Sequence, residues 1–391
     1  MTLTREQLLA DLYTAYYDAR RHKRNKPYQL RFEARLSENL EELCDALYTR
    51  TYRPLPSSCF IITEPKKREV FAAEFRDRVV HHLYYNYTYR MFERTFIQDS
   101  YSCLAGRGTH YGIRRLEQHI RRESRNYTRP CWVLKMDIRG YFMHIDRRRL
   151  LDITLRILSR TPPNLPLRGR PHGSLPSREG RGGSWSFLRY LTREIVLLDP
   201  TENCRIKGTP ADWKALPGDK SLFHSPEGCG LPIGNLTSQL FSNVYLGRLD
   251  DYMKRTLRCH RYGRYVDDFY VVGCSREWLR SLIPKVRRFL REELGLTLHE
   301  GKVRLCPVRQ GVEFLGAYLK PHRRYVSSAT LRRIRHKLPL LALETDPKRL
   351  RSRLASFRGV LSHYRTGWLA PQSSGVLSFI SKTIVSARRG R

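Results

Sequence analysis

Apolar positions along the chain fall into two periods. Over the first fifty residues the period is helical. Thr4 with Gln7 reads as a capping box, and Leu8, Leu12, Ala15, Tyr16 and Ala19 follow it at helical spacing. Phe32, Leu36, Leu40, Leu43 and Leu47 share one face of a second predicted helix. Tyr52-Arg53-Pro54 breaks the pattern, and Cys59 to Thr63 is strand-like. The stretch EPKKREVFAAEFRDRVVHHLYYNYTYRMF begins as a basic loop and ends as a helix. Ile113, Leu116 and Ile120 mark another helix with a basic outer face. From Tyr325 onward the chain reads as helical. Leu331, Ile334 and Leu338 form one stripe, and Leu354, Phe357, Leu361 and Tyr364 form a second. Arg332, Arg333, Arg335, Lys337, Arg349, Arg351 and Arg353 lie opposite, which predicts a small helical lobe with a basic face. No internal repeat is present, and strands and helices mix without regular βαβ alternation, so the expected class is α+β. Residues 161–184, rich in Pro, Gly, Arg and Ser, lack apolar periodicity and read as a mobile surface insertion, with RNA contact the less favoured alternative.

Charge narrows the partner. The chain has 391 residues with 73 Lys+Arg against 37 Asp+Glu, a formal net charge of +36. Such an excess on a well-patterned chain points to a polyanion, with nucleic acid ahead of an anionic membrane or a merely basic surface. The first residues lack an apolar signal core, and no run of about 18 apolar residues occurs, so neither secretion nor membrane spanning is expected. Nine cysteines form no C-x-x-C pair and no zinc-type spacing with histidine. They read as reduced thiols, mostly core residues, of a cytoplasmic protein.

Two short patterns carry acids. In CWVLKMDI, residues 131–138, Val133, Leu134, Met136 and Ile138 suit a buried strand with Asp137 at its exit. In RYGRYVDDFYVVG, residues 261–273, two β-prone arms flank Asp267 and Asp268, which predicts a hairpin with the acids at its tip. An isolated Asp-Asp is usually a turn. Here two adjacent carboxylates among aromatics need positive compensation, and a second strand-end acid lies upstream. Magnesium, which prefers oxygen ligands and phosphates, would supply that charge, and two such ions about 3.5–4 Å apart can clamp an in-line phosphoryl displacement.

With these boxes in hand, the sequence resembles the reverse-transcriptase family. Tyr265-Val266-Asp267-Asp268 is similar to the family's Y-x-D-D box, and KMDIRGYFMHID to its first catalytic box. The resemblance implies a right-hand polymerase: N-terminal helices and fingers over 1–125, a palm of antiparallel sheet with helices over 126–320, and a helical thumb over 321–391. It implies catalysis by Asp137, Asp267 and Asp268, with the Ile138 backbone carbonyl joining them as metal ligands. Two Mg2+ ions are implied, with Mn2+ as a substitute. Tyr141 and Phe142 would lie at the nucleotide, and the Phe142 ring would crowd a ribose 2′-hydroxyl. Core packing is the plain alternative for Phe142. Lys66 and Arg68, around Lys67, resemble the fingers loop that grips the triphosphate. FIQDSYSCLAGRGTH resembles the second box, placing Arg107 and Gly108 near the template. LGLTLHEGKVRL puts Lys302 near the triphosphate. GVEFLGAYL, with Gly316, resembles the turn that grips the primer end. Tyr265 and the thumb's Arg332, Arg333 and Arg335 would complete the template–primer contacts.

One box departs from the common pattern. GLPIGNLTSQLFSN has Ile233 where most of the family has Gln, keeps Gly234 and Ser238, and has Gln239 in place of Pro. This I-G-x-x-x-S-Q pattern is similar to the reverse transcriptases of diversity-generating retroelements of bacteria and phages. That resemblance implies error-prone cDNA made from a template RNA, with dNTPs and a cDNA/primer strand as partners, for mutagenic retrohoming into a protein-coding gene. It also implies a small, basic, oligomeric accessory protein and a bacterial host cytoplasm, with no membrane. An Ile offers shape where a Gln offers hydrogen bonds, so Ile233 is expected either to lower fidelity or to act as a plain packing substitution. No ribonuclease H, endonuclease or splicing module is recognisable. The rival readings are a retron or group II intron enzyme and a non-catalytic RNA-binding protein of the same fold. His81 and His82 read as packing or surface residues rather than ligands, and Glu313 as a structural partner without chemistry.

Overall fold

The computed structural model describes residues 3–21, 23–64, 66–160, 181–342 and 344–364. Helix α1 (Arg5–Arg20) opens with the predicted capping box between Thr4 and Gln7. The second predicted helix is in fact two, α2 (Pro27–Glu33) and α3 (Leu36–Tyr48). Arg35, at φ −129° and ψ 51°, breaks the backbone between them. Phe32 then packs edge-on to Phe75 at 5.3 Å, while Leu40, Leu43 and Leu47 stay fully buried. A single rigid helix would have to satisfy both contacts from one axis.

Strand β1 (Ser57–Ile62) pairs antiparallel with β2 (Arg68–Ala72), so the basic loop is shorter than its charge suggested. Helices α4 (Phe75–Glu93) and α5 (Thr109–Glu123) lead to β3 (Trp132–Asp137). Next come α6 (Arg147–Arg160) and α7 (Arg181–Val196). The insertion predicted over residues 161–184 overlaps the start of α7. Residues 161–180 lie outside the described residues, and 181–184 open α7. Strand β4 (Cys204–Ile206) joins β1 in parallel, and the short α8 (Pro210–Trp213) follows. Helix α9 (Leu236–Asp251) precedes the hairpin of β5 (Tyr262–Tyr265) and β6 (Asp268–Gly273). Helix α10 (Arg276–Leu294) leads to β7 (Arg304–Pro307).

These strands form the central antiparallel sheet, in the order β5-β6-β3-β7. Its alternation sets up the site. Leu134, Met136, Phe269 and Val271 point into the large core shared with α1, α4, α6, α9 and α10. Val133, Tyr270 and Val272 point to the other face. There they meet α5 and a three-stranded sheet of β8 (Val312–Phe314), β9 (Ala317–Lys320) and β10 (Arg323–Val326). Tyr325 thus belongs to a strand, and the helical lobe begins with α11 (Ser328–Ala342), followed by α12 (Pro347–Ser362). Cross-strand bonding of Arg323–Val326 to Ala317–Lys320 overrides the helical period there. The architecture is α+β, with a central four-stranded antiparallel sheet, two three-stranded sheets and two helices that follow the last strand. All nine cysteines are free, and Cys44, Cys59, Cys131 and Cys259 are buried. Among the described residues no helix is long and apolar enough to cross a membrane.

Candidate active site at the end of the central sheet

The first acid arrives at the exit of β3, as predicted. In the β3–β6 ladder Asp137 stands directly opposite Asp268, and Tyr265 opposite Asp268 across the hairpin. Val266 and Asp267 form the turn. The period of two turns Lys135, Asp137, Asp268 and Tyr270 to the same face. Like charges directly opposite each other in a ladder are destabilising, so their presence calls for a compensating charge. Two lysines supply part of it. Lys302 Nζ donates to Asp137 Oδ1 at 2.8 Å, and Lys135 Nζ lies 3.8 Å from Asp268 Oδ2.

The compensation is incomplete. Burial, then the charges of Asp137 and Asp268, push the Asp267 carboxyl up to about 6. Burial raises Asp268 to about 6 as well, with Asp137 adding to the rise; Lys135, Lys302 and Lys66 act against it. That cluster of oxygen donors with surplus negative charge suits a hard divalent cation. Among the described residues, however, no group of three or more His, Cys, Asp or Glu side chains is gathered tightly enough to hold an ion as it stands. The fit to a metal therefore rests on charge and donor type rather than on a formed cage. Ile138 is buried beside Asp137 and bridges to Leu298, while the Asp137 carbonyl accepts from His299 N at 2.8 Å.

A small apolar shelf begins at Phe142, five positions after Asp137. Phe142 and Ile233 pack on one small cluster with Cys59, Phe71, Met143 and Leu222. The Ile233 carbonyl accepts from Phe71 N at 3.0 Å, and the Phe142 carbonyl from Leu231 N at 2.8 Å. Gly234 has φ 124°, and a Cβ there would lie 2.9 Å from Val70 Cγ1 and 3.2 Å from the Phe71 carbonyl oxygen. The backbone approaches β2 so closely that only glycine fits. Lys66 is exposed on the loop between β1 and β2 and acts on Asp268. Arg68 is exposed at the start of β2.

Two expected ligand contacts differ. Tyr141 is buried, and its hydroxyl donates to the Ser242 carbonyl at 2.6 Å, so it forms floor beneath the site rather than a nucleotide-facing surface. Arg107 Nη1 donates to the carbonyls of Ile97, Gln98 and Ser100, which makes it a clasp for its own loop. Gly108 caps α5, and a Cβ there would meet open space, so packing does not demand glycine. Tyr265 is half-buried. Gly316, at φ 82°, turns the chain between β8 and β9, and its carbonyl accepts from Ser327 N at 2.8 Å. Arg332, Arg333 and Arg335 are exposed on α11 around buried Ile334. Leu338 lies outside the residues whose side chains are described. His81 is a packing residue near Thr237, and burial lowers it to about 3. Glu313 is exposed on β8.

Sequence reasoning missed Lys135, Arg264, Asp250 and Ser102. Arg264 had a visible signal. It shares the inward face of β5 with Tyr262, and a charge at an inward strand position needs a partner.

Residues 200–319 match a family model described as "Reverse transcriptase (RNA-dependent DNA polymerase)". The matched span holds Asp267, Asp268 and Lys302 but stops short of Asp137. The chain is 23% identical over 321 residues to Protein YkfC of Escherichia coli (strain K12), covering 73% of this chain and 72% of that protein. Similar solved structures include apo telomerase from Candida tropicalis truncated from its C-terminal domain, at 11% identity and TM-score 0.45, over 69% of this chain and 55% of that one. Telomerase from Candida albicans, in complex with a fragment of telomeric RNA, is similar at 10% identity and TM-score 0.46, over 76% and 52%. The chain spans about half the length of these telomerases. It carries a reverse transcriptase domain, and that domain is of the RNA-directed DNA polymerase class.

Proposed function

We propose that this reverse transcriptase domain copies a template RNA into error-prone cDNA, in the manner of a diversity-generating retroelement, using two Mg2+ ions held by Asp137, Asp267 and Asp268. The observation that carries the catalytic part is the Asp137–Asp268 cross-strand pair, with Asp267 beside it and both hairpin acids raised to about 6. When bound, divalent ions would activate the primer 3′-hydroxyl and neutralise the triphosphate, with Mn2+ as a substitute. The three carboxylates would hold them, with the Ile138 carbonyl as a further ligand. Lys302 keeps an ammonium on Asp137, ready to turn to a phosphate oxygen. Lys66 and Arg68 would grip the triphosphate from the fingers loop. The shelf of Phe142 and Ile233, with Gly234, would take the sugar and base. Arg332, Arg333 and Arg335 would hold template–primer phosphates, with an affinity that falls with salt.

The division into fingers (1–125), palm (126–320) and thumb (321–391) belongs to the same reading. So do a bacterial cytoplasmic location and a small basic accessory partner. The retroelement assignment is supported by the I-G-x-x-x-S-Q pattern and by the packing of Ile233 on the shelf, where only its shape can act on a base. Extension of a labelled DNA primer on an RNA template tests the catalysis. We expect extension with Mg2+ or Mn2+, none with chelator, and none from the paired change Asp267→Ala with Asp268→Ala. A well-folded wild-type chain that never extends a primer would overturn it. Misincorporation by Ile233→Gln tests fidelity, and an unchanged error rate would remove Ile233 from the account.

A further inference from the structure

Behind the acids lies a charged group that the proposed chemistry does not use. Arg264, on β5, is completely buried, with a side-chain exposure of 0%. Its five N–H donors all find acceptors. Nε and Nη2 grip Asp250 Oδ1 and Oδ2 at 2.8 and 2.6 Å, a bidentate pair with α9. Nη2 also reaches Ser100 Oγ, and Nη1 reaches Asn243 Oδ1. The last bond runs from Nη1 to the carbonyl of Val266 at 3.0 Å. Val266 immediately precedes Asp267. Its N–H is held too, donating to Ser102 Oγ at 3.2 Å. Asn243 Nδ2 in turn donates to the Ser102 carbonyl at 2.9 Å.

Both polar groups of the Val266 backbone are thus tied to a buried frame formed by α9 and the 99–102 segment. The same segment pins β5, since Arg264 N donates to the Asp99 carbonyl and Tyr101 N to the Arg264 carbonyl, both at 2.9 Å. What the frame enforces is unusual. Val266 sits at φ 54°, in the left-handed region that β-branched residues avoid. Two-residue hairpins that need this conformation at their first central position favour glycine or asparagine there. Such a conformation persists only where the surroundings over-determine it.

We infer that Arg264, with Asp250, Asn243 and Ser102, is a positioning device that locks the Val266 backbone and thereby fixes the direction in which Asp267 and Asp268 present their carboxylates to the cation. This rests on the proposed two-ion chemistry for its purpose, but the clamp itself is a matter of geometry. A structural ion pair alone would need only Asp250 and Arg264. The bonds to the Val266 carbonyl and N–H are the additional element, and they stand next to the acids.

Two variants separate positioning from folding. Combining Arg264→Met with Asp250→Asn makes the pair neutral, leaves Tyr262 an acceptor at position 250, and removes the donor to Val266. Replacing a buried ion pair by matched neutral groups is often tolerated. Ser102→Ala instead leaves the Arg264–Asp250 pair intact and removes the acceptor of the Val266 N–H. For each we would measure amide exchange at 266–268, binding of Mn2+ alone, template–primer affinity and single-turnover extension. We expect exchange to quicken about tenfold, Mn2+ affinity to fall about tenfold and extension to slow by about tenfold or more, while template–primer affinity holds. Wild-type exchange and Mn2+ affinity in Ser102→Ala would overturn the inference, whether or not the double variant folds. Should the wild-type chain fail to extend a primer, the polymerase reading falls, and the exchange and Mn2+ measurements still decide whether the clamp exists.

Discussion

A buried acid flanks the β5–β6 hairpin and two half-buried acids stand at its tip, and the protein treats them in opposite ways. At the back, Asp99 is 5% exposed and meets two cations and a histidine that burial lowers to about 4. Arg115 Nε is 2.8 Å away, Lys254 Nζ 3.1 Å and His119 Nε2 3.6 Å. Burial pulls its carboxyl upward, yet the Arg115 hydrogen bond and these neighbours win, and its pKa ends below the ordinary value. At the tip, Asp267 and Asp268 meet burial and each other with only lysines nearby, and both rise to about 6. The difference shows which acids the fold has neutralised for itself and which it has left for a ligand.

The largest test of that difference is catalytic. Asp267→Asn or Asp137→Asn should slow primer extension by about a thousandfold or more, because charge stabilisation in the transition state is lost. Template–primer affinity, resting on basic surface elsewhere, should change by no more than about twofold. Parallel loss of rate and affinity would mean that the tip acids serve the fold, and the contrast would break.

Next in size is the stability of the back. Asp99→Asn should cost roughly 3 kcal/mol in denaturant unfolding at pH 7, since Arg115 and Lys254 would face each other uncompensated. A lowered folded-state pKa contributes stability above the ordinary carboxylate pKa and loses it as pH falls through the folded value. The deficit of this variant should therefore shrink in strong acid. A variant as stable as the parent at pH 7 would contradict the assignment.

The tip should show the reverse sign. Its acids are raised from 3.8 to about 6, so the folded chain binds more protons than the unfolded one between those values. Stability falls as pH rises through that window. Asp268→Asn should therefore melt a few degrees higher than wild type at pH 7.5, with no such gain at pH 3.5. Adding Mg2+ should narrow the gap at pH 7.5. A loss of stability at pH 7.5 would show that the site is not strained by its own charge.

The smallest expected change sharpens the comparison from the side of the cations. Lys135 lies 3.8 Å from Asp268 and 5.6 Å from the centre of the Phe314 ring. Lys135→Met should move the acid limb of the pH–rate profile upward by less than about one unit, the screening expected of a partly exposed pair. An unmoved limb would assign the compensation to Lys302 and Lys66.

Much of this was legible in the residues. The alternation of CWVLKMDI and the two arms around Asp267-Asp268 foretold β3, β5 and β6, because a buried strand with one open end has few alternative readings. The capping box at Thr4 was equally local. Other features were hidden. The break at Arg35 was invisible because the apolar period runs through it unchanged. Strand β2 was masked by Lys67, Arg68 and Glu69, three polar residues in a row; Glu69 is nevertheless 1% exposed, accepting from Trp213 Nε1, Ser221 Oγ and Leu222 N. Tyr141 and Arg107 sit in boxes that suggested ligand contact, and their polar groups turned out to be committed to nearby carbonyls.

By itself the sequence determined the periods, the strand ends and the identity of the acids, since these depend on neighbours a few positions away. Tertiary structure decided which charges are satisfied. Arg264 and Asp250 are fourteen positions apart, and Lys302 is 165 from Asp137. Whether a buried charge is stable depends on partners such as these, and only the folded chain brings them within hydrogen-bond reach.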